Sequence, residues 1–157
     1  MVRLLPYHQI NKKAWDHCIE RSPNKLIYVR SYYLDKMAPQ WQGLILNDYE
    51  AVMPLPVRKK WGIPYLFQPA FFQQGGIYSP IPVSTETTEQ FLKAVMEHFP
   101  YAEICMNHSN KIPEIQGLEA TTRSNFILSL NKTKQEIAGN FSESFIRNVL
   151  RAKKSGL

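Results

Sequence analysis

The residues of this chain best suited to chemistry are an arginine and a set of amides and aromatics. Arg58, Lys59 and Lys60 follow one expected strand, and Gln68, Phe71, Phe72, Gln73 and Gln74 follow the next. A guanidinium grips a carboxylate or phosphate through two parallel N–H donors, side-chain amides orient peptide groups, and aromatic rings cover apolar faces. The set suits an anionic or peptide-bearing small-molecule acceptor, with Arg58, Gln68, Phe71, Gln73 and Gln74 as candidate binding residues. The plainer alternative makes residues 58–60 a solvated hairpin turn and the phenylalanines core. Asn107 ends an expected strand before His108-Ser109-Asn110, where loops of α/β proteins often line sites; the same run also makes an ordinary turn. Arg147 and Arg151 lie one turn apart on a C-terminal helix. Beneath a second domain they would face a bound ligand, and otherwise they solubilise the helix.

Motifs for autonomous catalysis are missing from this sequence. It has no Gly-x-Ser-x-Gly elbow, no Gly-x-x-x-x-Gly-Lys phosphate loop and no His-Glu-x-x-His pair, each of which places a nucleophile, phosphate cradle or metal by its spacing. His8, His17, His98 and His108 are scattered and read as surface or packing residues, so no catalytic residue is assigned. Cys18 and Cys105 lack metal-ligand spacing and read as buried free thiols in a reducing compartment. No metal site and no cofactor of the chain itself is expected.

The net charge is +6. Arg147, Arg151, Lys153 and Lys154 against Glu143 place +3 of it in residues 141–157. A basic surface can meet nucleic acid, an anionic membrane or an anionic small molecule, and the bland alternative is a solvated helix face. Nucleic acid is the weaker partner here, because the charge is modest and no stacking or groove-reading motif is present. The 157 residues suit one domain with a real core. No stretch resembles a signal peptide or reaches the ~20 apolar residues of a membrane span, and a cytoplasmic location is expected.

These residues need elements to position them. Residues 2–6 read as a strand and 12–21 as an amphipathic helix capped by Asn11, with Trp15, Cys18 and Ile19 inward. Residues 28–37 read as a second helix. Strands over 41–47 and 51–58 flank the turn-forming run Asn47-Asp48-Tyr49-Glu50, which predicts a hairpin. A Trp61-Gly62 turn leads to a strand over 63–67, and 71–79 reads as a loop or irregular strand. A helix over 87–99 turns Phe91, Ala94, Val95 and His98 to one face. Strands over 101–106 and 122–130 follow, then helix over 134–156 broken near Gly139. That order predicts an α/β fold: a mixed, largely antiparallel sheet flanked by helices. Its expected organisation is a domain over 1–133 and a basic helical segment over 134–157. The helix stop at Ser155-Gly156 falls one residue before the last, so the sequence reads as leading into a second domain.

The C-terminal segment also carries a family resemblance. Phe141, Ser142, Arg147, Asn148, Ala152, Lys154, Gly156 and Leu157 match the form Phe-Ser-x-x-x-x-Arg-Asn-x-x-x-Ala-x-Lys-x-Gly-Leu. This is similar to a segment between the two halves of FemAB-like aminoacyltransferases and related GNAT-type acyl-CoA N-acyltransferases. Further pieces match in order: Trp15 to Cys18, Ser22-Pro23-Asn24, 31–35, 51–56, Gln68-Pro69, 72–76 and 123–130. The resemblance spans nearly the whole chain and implies a GNAT-like half domain. It implies the acceptor-binding N-terminal half of an N-acyltransferase, inactive alone, with acyl-CoA or aminoacyl-tRNA as donor to the full-length protein. Nucleic acid would then enter only as that donor. One departure stands out: the pyrophosphate turn of the GNAT type precedes a helix, whereas Gln73-Gln74-Gly75-Gly76 is followed by Tyr78-Ser79-Pro80. A different class of function is a stand-alone, non-catalytic interaction domain, with a homodimer through the C-terminal helix as one form.

Overall fold

Apolar runs on either side of residues 47–50 form the central hairpin. The structure, a computed structural model, describes residues 1–156. Strands β2 (Gln42–Leu46) and β3 (Ala51–Leu55) pair antiparallel from Gln42↔Leu55 to Leu46↔Ala51. Asn47 and Tyr49 take positive φ in the connecting turn, and Asn47 Nδ2 donates to Glu50 Oε2 at 2.8 Å. Strand β1 (Val2–Leu5) adds antiparallel to the other edge of β2, giving the order β1-β2-β3. Pro54 sits inside β3 without breaking that pairing. Val52 exchanges both backbone hydrogen bonds with Tyr78 on the outer edge. Two residues on, the absent N–H of Pro54 points the same way, away from β2.

Strand alternation divides the core between two faces. Ile45 and Val52 join Trp15, Cys18, Ile19, Leu34 and Trp41 on one side. Leu44, Met53 and Leu55 join Phe91, Val95 and Phe99 on the other. Helices α1 (Lys12–Arg21) and α2 (Ser31–Met37) therefore cover one face and α3 (Thr85–His98) the opposite one. Gly43 is required at its position, since a Cβ there would lie 2.7 Å from the Trp15 ring. The Trp15 indole N–H reaches the Val29 carbonyl at 2.8 Å, so its polar atom stays paired inside the core.

Helix ends are satisfied locally and across elements. Asn11 caps α1 by accepting from Ala14 N, and Ser84 caps α3 by accepting from Thr87 N. The start of α2 has no cap of its own; Asp16 of α1 instead accepts from Ser31 N at 2.8 Å and Ser31 Oγ at 2.6 Å. A second hairpin, β4 (Val57–Lys60) with β5 (Ile63–Leu66), turns at Trp61 and Gly62, both with positive φ.

Several expected elements differ. Residues 28–37 are not one helix: a 3-10 turn over Ile27–Val29 precedes α2, because Arg30 is extended between them. Residues 101–106 form no ladder. They make two isolated parallel bridges, Ala102 to Leu66 of β5 and Met106 to Gly75 in the irregular segment. Residues 122–130 find no strand partner and stay irregular and exposed, and apolar residues alone do not make a strand without a neighbour's N–H and C=O. His98, expected inward, is exposed, while Phe99 beyond the helix end turns into the core. The architecture is a mixed α/β fold whose named sheets are both antiparallel.

The chain divides into two units, Met1–Ala120 and Thr121–Leu157. The first contains the whole core just described. In the second, Thr133 and Glu136 form a reciprocal capping box at α4 (Lys134–Gly139). Ser142 caps α5 (Glu143–Lys154), which ends at Ser155 before the positive φ of Gly156. The break near Gly139 and the stop at Ser155-Gly156 fall where turn chemistry places them.

Candidate functional site

Three separate segments build a cleft of about 370 Å³ in the first unit. Pro6, Tyr7 and His8 come from the turn after β1, Gln40 from the turn before β2, Gln42 from the first residue of β2, and Val57, Arg58 and Lys59 from β4. Arg58 is held by its flat face: its guanidinium carbon lies 3.9 Å from the Phe67 ring centre. Stacking of this kind fixes the plane while leaving the N–H edge free for an anion. Among the described residues, no acidic side chain pairs with Arg58 or Lys59.

Beside the cleft, a second cation is already neutralised. Lys12 Nζ donates to Asp35 Oδ2 at 2.7 Å and to Tyr7 Oη at 2.8 Å, while Trp41 Nε1 donates to Asp35 Oδ1 at 3.0 Å. These bonds to Asp35 and Tyr7 raise the Lys12 ammonium above its usual range. Burial alone would push Asp35 up, but the Lys12 and Trp41 hydrogen bonds outweigh it and hold the carboxyl below its usual value. The network positions Tyr7 as a wall of the cleft and leaves Arg58 and Lys59 as its available positive charge.

Other candidate residues lie elsewhere. Gln68 donates to the Phe72 carbonyl, closing the turn over residues 68–72. The Phe71 carbonyl accepts from Tyr33 Oη at 2.8 Å, and Gln73 Oε1 accepts from Tyr28 Oη at 3.1 Å. The two tyrosines thus staple this loop to the helical layer, and the Phe71 ring is left 80% exposed at positive φ. Gln74 is half-buried. Gln68, Phe71 and Gln73 share one loop surface, whereas Arg58 alone of the candidate set lines the cleft.

Asn107 is buried and its hydrogen-bonding capacity is spent on the fold. Its Nδ2 lies within hydrogen-bonding distance of the Gly75 and Ile77 carbonyls and Asn110 Oδ1, and its Oδ1 accepts from Asn24 Nδ2 and Ser109 N. Asn110 adds a bond from Ile77 N at 2.8 Å. Together they clamp the irregular segment 75–77 against the sheet. Arg147 and Arg151 lie on α5 of the second unit.

Cys18 is buried, and burial pushes its thiol up to about 11, so it stays protonated and unreactive at neutral pH. Among the described residues, no group of His, Cys, Asp and Glu is placed to hold a metal ion, and no helix is long and apolar enough to cross a membrane. A larger and more open hollow, about 510 Å³, runs along α3. Its lining carries Glu89, Glu97 and Glu114 against Lys93, and Lys93 is paired with Glu89 at 2.7 Å. It offers an anionic ligand nothing.

Tyr7, His8, Gln40 and Gln42 escaped sequence reasoning because the cleft joins residues far apart in the chain; Gln40 and Gln42 flanking Trp41 were the nearest local signal. No family model, curated protein or solved structure matches this chain.

Proposed function

We propose that this chain is the acceptor-binding N-terminal half of a FemAB-like or GNAT-type N-acyltransferase. The observation that carries the reading is Arg58 stacked on Phe67 at the wall of a cleft that also holds Lys59, Gln40 and Gln42. A guanidinium whose plane is set by an aromatic ring is a good clamp for the carboxylate or phosphate of an acceptor. The glutamine amides supply donors and acceptors for peptide groups. In the reaction, a neutral acceptor amine attacks a donor thioester or ester carbonyl. The N–C bond forms, the C–S or C–O bond breaks, and the amine proton is released. The residues here bind and orient the acceptor, which is where positioning lowers the barrier. Donor binding and oxyanion stabilisation belong to a second half, with acyl-CoA or aminoacyl-tRNA as donor, and the chain is inactive alone. A cytoplasmic location follows from the same reading.

The test is an NMR titration of the full chain with the dipeptide Glu-Lys, which joins carboxylates to a free amine. The expected result is shifts at Tyr7, Gln42 and Lys59, with affinity falling about tenfold in Arg58→Ala, the loss of one charge-assisted pair. Absence of shifts at the cleft, or equal affinity in the variant, would defeat the reading.

A second reading, a non-catalytic interaction domain, is favoured by a separate observation: none of the residues 121–156 is buried. Phe126, Ile127, Leu128 and Leu130 are exposed there alongside the apolar side chains of α5.

A further inference from the structure

Helix α5 is divided lengthwise. At about 100° per residue, Phe145, Ile146, Val149 and Leu150 fall within one half of its circumference, and Phe141 lies just before its N-cap. Arg147, Arg151 and Lys154 fall in the other. All five apolar side chains are exposed. Lys153 falls within the apolar half only at the helix end, where a long aliphatic stem can lie on an apolar surface and carry its charge out of it. The Phe141 and Phe145 rings pack together at 4.6 Å, so the apolar half begins with an aromatic pair.

Charge follows the same unit. Residues 121–157 hold seven lysines and arginines against Glu136 and Glu143, a net +5, whereas residues 1–120 hold twelve basic against eleven acidic residues, a net +1. Nearly all the excess charge of the chain therefore lies on the unit whose apolar side chains have no core to enter.

We propose that α5 docks lengthwise on an anionic lipid surface, its apolar half at the acyl boundary and its arginines among the headgroups. A 12-residue helix gives a strip about 18 Å long, and a flat boundary parallel to its axis matches a two-sided distribution of this kind. Charge complementarity selects the occupant. A second copy would bring +5 against +5, and a nucleic-acid backbone meets the cations but leaves the apolar half uncovered. An anionic bilayer interface satisfies both halves at once, and isolated helices of this length gain their order from such contacts.

The test is co-sedimentation of the full chain with vesicles of phosphatidylcholine alone and of phosphatidylcholine and phosphatidylglycerol in equal parts. Binding is expected to the mixed vesicles and not to the neutral ones, and to fall with added salt. Arg147→Gln with Arg151→Gln lowers the partition coefficient about thirtyfold, at about 1 kcal/mol per cation. Phe145→Ser with Val149→Ser lowers it at least about tenfold. Retention of the wild-type Trp15 and Trp41 fluorescence shows that the first unit is still folded in each variant. Equal binding to both vesicle types, binding unchanged in the arginine variant, or no binding to either would overturn the proposal. So would a salt-stable dimer that excludes vesicles, or capture by polyglutamate but not by lipid, since the occupant would then be a protein.

Discussion

Gly76 shows how one position can be decided twice. Its φ of +87° is a conformation that L side chains rarely adopt, and a Cβ there would lie 2.3 Å from Asn110 Oδ1 and 3.0 Å from Asn107 Nδ2. Gly62 has nearly the same φ, +81°, with nothing within 4 Å of its would-be Cβ. Gly62→Ala therefore carries the left-handed penalty alone, about 1 kcal/mol. Gly76→Ala carries that penalty plus a broken asparagine clamp, about 2–4 kcal/mol. Urea unfolding of the two variants measures the difference, and equal losses would show that the clamp yields without cost. The glycine pair was visible in the sequence; the asparagines that crowd it were not, because Asn107 and Asn110 are brought to it by the fold.

At the scale of elements, the helical layer is held by capping between helices. The Asp16 carboxylate accepts two hydrogen bonds from Ser31, supplying the start of α2 with the negative charge and acceptor that its own N-cap residue, Arg30, lacks. Asp16→Ala leaves the Ser31 N–H and hydroxyl without their partner and should cost about 1–2 kcal/mol, read as a lowered thermal midpoint. A variant as stable as the parent would mean that water replaces the carboxylate. Local patterning located α1, α3, the two hairpins and the break at Gly139, since caps, turn residues and apolar spacing are carried by neighbouring residues. It failed at 101–106 and 122–130, where apolar content suggested strands. Strand formation needs a partner edge, and that is a long-range property.

For the whole molecule, the two units differ in kind. Residues 1–120 hold the described apolar core, with Trp15, Trp41, Leu44, Ile45, Val52 and Met53 all fully buried; residues 121–156 contain no buried residue. Hydrogen exchange should therefore leave the β2 and β3 amides protected longest, with α4 and α5 exchanging at least about a hundredfold faster. Comparable protection in α5 would contradict its lack of buried contacts. Adding vesicles of phosphatidylcholine and phosphatidylglycerol should slow α5 exchange while leaving β2 and β3 unchanged, which ties the global measurement to the docking surface.

The amino-acid sequence by itself determined the α/β class, the amphipathic helices, the hairpin turns and the basic character of α5. Each of these is written in residues within a few positions of one another, through periodicity, capping and turn stereochemistry. Only the tertiary structure decided that Arg58 stacks on Phe67 beside Gln40 and Gln42, that Lys12 is neutralised by Asp35, and that Asn107 faces the backbone of residues 75–77. Those relations depend on which distant segments meet across the sheet. No local pattern encodes them, because a cleft is a property of the surfaces that folding brings together.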